Sequence, residues 1–258
     1  MCSYFTYPFG QKVMPVEQKS RTPKKVFVLG VYASAVHAKW LDPDGKLNVQ
    51  ALAVASEPYI FWRGDGVNDI LDNITVPKEC GSLLPANPKF NGPSGIILDK
   101  KFLAPLKIDR TDCWLADLLP ESRLNLNQLK AIERKYVPFV TAGKVPKVTV
   151  PVVPKKFAND YRITELLEEF LQSKAEYLVT LGDVPLREFV SKFEPKWNRL
   201  ASFGQILEQY GKIHVMSIER RKVGLIPLVH PRQAGRLGLS SQSWGKLHAN
   251  WAANNISI

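Results

Sequence analysis

Four stretches of the chain, 25–30, 113–116, 176–182 and 223–229, carry short, nearly continuous apolar runs. Runs of this length closed by glycine or a turn are the pattern of strands buried on both faces. The first stops at Gly30, the third at Gly182, and the fourth ends in Val229-His230-Pro231. The second runs into Asp117-Leu118-Leu119-Pro120.

Between these runs the period lengthens. Leu166, Leu167, Phe170 and Leu171 share one helical face, with Glu165, Glu168 and Glu169 on the other. Short helices are predicted over Asn127–Lys135, from about Pro185, over Arg199–Tyr210, and from about Ser241. The last of these places Trp244, Leu247, His248 and Trp251 on one face. His37 and Trp40 follow Ser34 at spacings suited to one helical side, with Trp40 read as core and His37 open. Asp42-Pro43-Asp44-Gly45 is a turn signal before a further apolar segment, Val49–Ala55. His214–Glu219 is a possible partner strand for 223–229. Residues 73–109, rich in Pro and Gly, read as a long irregular connection, and 145–154 as extended at best.

Four buried strands separated by helices predict an α/β protein: a three-layer α/β/α sandwich around a four-stranded, mostly parallel central sheet. Residues 1–22, with Pro8 and Pro15 and no periodicity, read as an N-terminal arm, and 23–258 as a single domain.

Composition narrows the picture. The 258 residues are 45% hydrophobic, ordinary for a chain that buries a sizeable core. The longest apolar run, Val26–Ala38, is broken by Gly30 and falls short of a membrane span. No basic-then-apolar leader pattern opens the chain, and Cys2, Cys80 and Cys113 form neither a disulfide framework nor a metal spacing. A reducing, cytoplasmic setting without a membrane association is therefore expected. The net charge of +11 is unevenly spread: from Gly211 onward, seven Lys or Arg face one acid, Glu219. Such an excess favours polyanions, nucleic acid first.

Gly30, Asp117, Gly182 and His230 all fall at downstream ends of predicted strands, which a parallel sheet gathers along one edge. Their contexts are Gly30-Val31-Tyr32-Ala33-Ser34, Asp117-Leu118-Leu119-Pro120 with Arg123 beyond, Leu178-Val179-Thr180-Leu181-Gly182, and His230-Pro231. In this order the four pieces resemble the motifs of the uracil-DNA glycosylase superfamily, over about Lys25 to Trp251. The resemblance implies a protein that draws a base out of DNA and breaks its N-glycosidic bond. It implies that His230 hydrogen-bonds the base oxygen as negative charge grows there. It also implies that the loop Pro231-Arg232-Gln233-Ala234-Gly235-Arg236 enters or clamps the duplex.

Two positions depart from that pattern. Tyr32 stands where the family carries the acid or amide that positions water, and a tyrosine of ordinary acidity is a poor base at neutral pH. Asp117 stands where relatives usually carry an Asn that reads uracil; an ionised carboxylate only accepts hydrogen bonds. Asp117, Asp65 and Glu57 are the acids available to replace the missing group. Tyr59-Ile60-Phe61-Trp62-Arg63-Gly64-Asp65-Gly66 offers Phe61 or Trp62 to stack on an extruded base.

The expected site is thus His230, Asp117 and Asp65 for catalysis, and Tyr32, Ser34, Phe61 and Trp62 around the base. Arg232, Gln233, Arg236 and Arg123 are expected on DNA. His248 reads as a packed structural histidine. No Gly-rich phosphate loop, Gly-x-Ser-x-Gly elbow or zinc-spaced His pair occurs, and three cysteines cannot ligate an iron–sulfur cluster, so no metal or cofactor is expected. Two alternatives stay open: a non-catalytic nucleic-acid-binding member of the superfamily, and a hydrolase of small nucleotides or nucleosides.

Overall fold

A computed structural model describes residues 5–206, 208–235 and 242–254. The strands, in chain order, are β1 (Val26–Tyr32), β2 (Ala35–Leu41), β3 (Leu47–Ser56), β4 (Ser82–Pro85), β5 (Cys113–Leu119), β6 (Tyr177–Leu181), β7 (His214–Ile218) and β8 (Arg221–Leu228). They form two sheets, ordered β5-β1-β6-β8-β7 and β3-β2-β4. Contacts divide the chain into two compact units, one of residues 1–16, 32–93 and 120–155, the other of 17–31, 94–119 and 156–258.

The second unit holds the five-stranded sheet. β1 pairs with β6 and β6 with β8 in parallel, aligning Leu29 with Thr180 and Thr180 with Pro227. β7 closes the edge by antiparallel pairing with β8, from His214↔Leu225 to Ile218↔Arg221. All four expected strands lie in this α/β sheet, but it has five strands instead of four. The fifth is the 214–218 segment, whose alternating exposure suits an edge open on one face. Val26–Leu29, Leu178–Leu181 and Leu225–Val229 are buried throughout, with Thr180 their only polar member.

The helix Asp160–Ser173 buries Leu166 and Phe170 as its period predicts. Glu169, expected on the exposed face, is instead buried: it accepts the Trp114 Nε1–H (3.0 Å) and pairs with Arg162 (3.0 Å). Among the described residues of 199–210 the expected helix does not form. A single 3-10 turn, Leu200–Phe203, ends at Gly204, whose φ of 90° lies in the left-handed region that halts a helix.

The first unit is built on the antiparallel sheet β3-β2-β4. His37 and Trp40 lie on β2 and not on a helix, because the chain reverses into a hairpin through Asp42–Gly45. Trp40 is fully buried, as expected, and its indole N–H donates to the Cys80 carbonyl (2.6 Å). The segment read as an arm contributes Tyr7, Phe9 and Val13 to this core, and the Phe9 N–H donates to the Tyr136 hydroxyl (2.7 Å). Residues 73–109 are more regular than expected, containing β4 and the helix Pro93–Leu98, which continues as wider π-type turns through Leu103. Among the described residues, no helix is long and apolar enough to cross a membrane.

Candidate functional site

His230 follows β8 and caps the helix Pro231–Ala234. Its Nδ1 accepts the Arg232 N–H (3.1 Å), while its own backbone N–H donates to Gln233 Oε1 (3.2 Å), completing a reciprocal cap. Proline at the first helical position needs no partner for a missing N–H, which is why His-Pro starts this turn cleanly. With Nδ1 accepting, a neutral imidazole carries its proton on Nε2. Burial, with Arg232 adding to it, pushes the ring's pKa down to about 4 from the usual 6.5, so it is neutral at pH 7. His230 is therefore held as a neutral Nε2–H donor.

Gly182 lets this turn sit against β6. Its φ is 93°, its N–H donates to the Leu228 carbonyl (2.7 Å), and a Cβ there would lie 3.2 Å from the His230 Cβ. Behind His230, a relay fixes the end of β8. The Val229 N–H donates to the Tyr210 hydroxyl (3.0 Å), which then donates to His248 Nδ1 (2.8 Å); His248 Nε2–H donates to the Lys101 carbonyl (2.9 Å). Each group in the relay has one consistent role, and burial holds His248 neutral, with a pKa of about 4. Lys101 also donates through Nζ to the Ala234 carbonyl (2.8 Å), closing the far end of the short helix.

Asp117 lies on β5, on the far side of β1 from β6. It is 4% exposed, and burial raises its pKa to about 7 against the opposing pull of Arg162. Arg162 donates to the Asp117 carbonyl (2.8 Å) and the Leu118 carbonyl (3.3 Å), so the buried Arg162–Glu169 pair pins this strand end. Near pH 7 Asp117 exchanges between carboxylate and carboxylic acid, and the acid form both donates and accepts. That removes the expectation of an acceptor-only group. Three strand spacings separate β5 from β8, about 14 Å across the sheet. Between them Thr180 buries a hydroxyl with no partner among the described residues.

The remaining expected residues are placed as follows. Tyr32, Ser34, Phe61, Trp62, Asp65 and Arg123 belong to the first unit, Asp117 and His230 to the second. Tyr32 ends β1 and is half-buried. The Ser34 N–H donates to the buried Glu57 (3.1 Å), and its carbonyl accepts from Ser122 (2.6 Å). Phe61 and Trp62 are 8% and 1% exposed, and the Trp62 indole donates to the Asp65 carbonyl (2.8 Å), so neither ring presents a free face. The reason is a turn: Phe61 takes φ 50°, not the extended backbone that would direct one ring outward. Asp65 is exposed and accepts the Tyr59 hydroxyl. Arg123 pairs with Glu121 (2.9 Å) and donates to the Ser122 carbonyl (2.8 Å), with its side chain 10% exposed. Gln233 spends its amide oxygen on the cap, Arg232 is exposed, and Arg236 lies outside the described residues.

Sequence reasoning missed Arg162, Tyr210 and Lys101. Arg162 had a signal, the seven-residue spacing to Glu169 on one helix; Lys101 acts through backbone carbonyls, and Tyr210 joins a backbone amide to the distant His248, which leaves no pattern. Among the described residues no cluster of three or more His, Cys, Asp or Glu could hold a metal. Cys80 and Cys113 are buried thiols, and burial pushes Cys113 up to about 12. Neither a protein-family model nor a curated protein matches the chain.

Proposed function

We propose that the protein binds DNA and releases a base from it by hydrolysis of the N-glycosidic bond, as its resemblance to uracil-DNA glycosylases implies. The observation that carries this reading is the neutral Nε2–H of His230, locked at the end of β8 by its cap and by the Tyr210–His248 relay. Base release leaves negative charge on a base oxygen, and a preorganised neutral donor there lowers the barrier without first giving up a proton. In the parallel part of the sheet the connections diverge between β1 and β6, and open α/β sheets bind ligands outside the strand carboxyl ends at such a point. Asp117, near pH 7, supplies a carboxyl group able to read a base edge or to take a proton from water. The helices Asp160–Ser173 and Asp183–Glu188, which pack on β5 and β6, fit a three-layer α/β/α arrangement of this unit.

A second reading, DNA binding without base release, is favoured by Tyr32 at the water-positioning place. Incubation with single- and double-stranded oligonucleotides bearing uracil, hypoxanthine or xanthine, scored for abasic sites, separates the two. Base release that falls about 10²–10³-fold in His230→Ala supports the first reading. Release that is unaffected by His230→Ala overturns it, and salt-sensitive binding without release selects the second.

A further inference from the structure

The +11 charge concentrates in a second place besides the C-terminal fifth. Between Arg123 and Asn159 stand eight Lys or Arg and one acid, Glu133. All belong structurally to the first unit, except Lys156 and its three neighbours at the boundary. Part of this charge lines an open groove of about 280 Å³, whose walls include Asn48 and Val49 of β3 and Asn127, Lys130, Arg134 and Lys135 of the facing helical segment.

The groove is built. β3 is an edge strand of its sheet, with backbone groups left to satisfy. Gln128 satisfies two of them, donating to the Ala51 carbonyl (2.7 Å) and accepting the Ala53 N–H (3.0 Å). Asn125 starts the helix Leu126–Ala131 by accepting the N–H groups of Asn127 and Gln128 (3.0 Å each). The side-chain clasp thus holds the helix along the strand and sets the spacing of the two walls. Lys130, Arg134 and Lys135 are all exposed, and none forms an ion pair among the described residues. Among the described residues, no carboxylate lines the groove.

We propose that this groove binds the phosphodiester backbone of nucleic acid, as a contact separate from the His230 site. The volume is small for an enclosed ligand, and the lining has cations and amides where a base pocket would have aromatic faces. Cations and amide donors without an aromatic platform suit phosphate oxygens, which position a duplex without reading its sequence. The inference shares with the functional reading only its partner, nucleic acid.

The test is fluorescence anisotropy with a labelled, undamaged duplex, on which base release plays no part, at salt from about 50 to 200 mM. The triple substitution Lys130→Ala, Arg134→Ala and Lys135→Ala is compared with Lys78→Ala, Lys89→Ala and Lys144→Ala, which removes equal exposed charge from the same unit. Each lost phosphate contact reduces the salt slope by about 0.9, so the groove variant loses nearly 3. Over that fourfold rise in salt the parent then loses about 40 times more affinity than the variant. The control variant keeps the parental slope. Equal losses in both variants, or no change in the groove variant, overturn the proposal. Because Leu47 and Leu126 are exposed beside the groove, vesicles of phosphatidylserine and phosphatidylcholine form a further arm. Groove-dependent vesicle binding without groove-dependent duplex binding assigns the surface to membranes and also overturns it.

Discussion

Replacing Tyr210 with phenylalanine removes one oxygen and two hydrogen bonds, and leaves the ring in its aromatic surroundings of Trp244, His248 and Trp251. The oxygen accepts from Val229 N–H and donates to His248 Nδ1, both buried. The variant therefore buries one donor and one acceptor without partners. Each such group costs about 1–3 kcal/mol, and some relaxation toward water brings the pair to about 2–4 kcal/mol. In a chain of this size that lowers Tm by about 5–15 °C. Calorimetry or circular dichroism on Tyr210→Phe measures it, and base release measured below the transition reads the second consequence. Val229 precedes His230, so a loosened β8 end moves the donor, and kcat falls by more than KM changes. A Tm drop under about 1 °C would refute the relay as an element that fixes His230.

The buried ionisable groups make opposing demands as pH falls. His248 has a folded pKa of about 4 against an ordinary 6.5, so the unfolded chain takes up its proton first. Its contribution is present above 6.5 and is lost toward pH 4, about 3 kcal/mol over that window. Asp117 is the reverse: its folded pKa of about 7 exceeds the ordinary 3.8, and its burial penalty is relieved as pH falls from 7 to about 4. Urea unfolding of Asp117→Asn should thus show a steeper acid loss than the parent, by up to about 4 kcal/mol between pH 7 and 4; parallel curves would contradict the assignment. In the same variant the pH profile of base release should lose the inflection near 7, and an unchanged inflection would exclude Asp117 as its source.

Much of the second unit's sheet is legible in the sequence, because a strand buried on both faces must be apolar at every position. Val26–Leu29 and Leu225–Val229 obey that rule, Leu178–Leu181 departs from it only at Thr180, and the four expected strands sit in one sheet. The first unit is harder to read. β2 alternates irregularly across its register shifts, so His37 and Trp40 mimic a helical spacing. The helix expected at Arg199–Tyr210 has the right composition, but Gly204 takes a left-handed φ that composition alone does not reveal. Of the site, His230 is legible from the run that ends in His-Pro. Its tautomer is not, since that depends on the Arg232 N–H and the local turn. One of Phe61 and Trp62 reads as a stacker, because in an extended backbone before Gly-Asp-Gly the two rings would point to opposite faces. The turn at Phe61 instead directs both into the interior.

His230 is a neutral imidazole with its proton on Nε2, and the proposed base release depends on it. Nitrogen NMR of the labelled protein tests this directly, because the chain has only 4 histidines and His230→Ala identifies the signal. A protonated Nε2 and an unprotonated Nδ1 should persist as pH is lowered well past the ordinary 6.5, towards the group's own value of about 4. A ring that titrates near 6.5, or one that carries its proton on Nδ1, would contradict it.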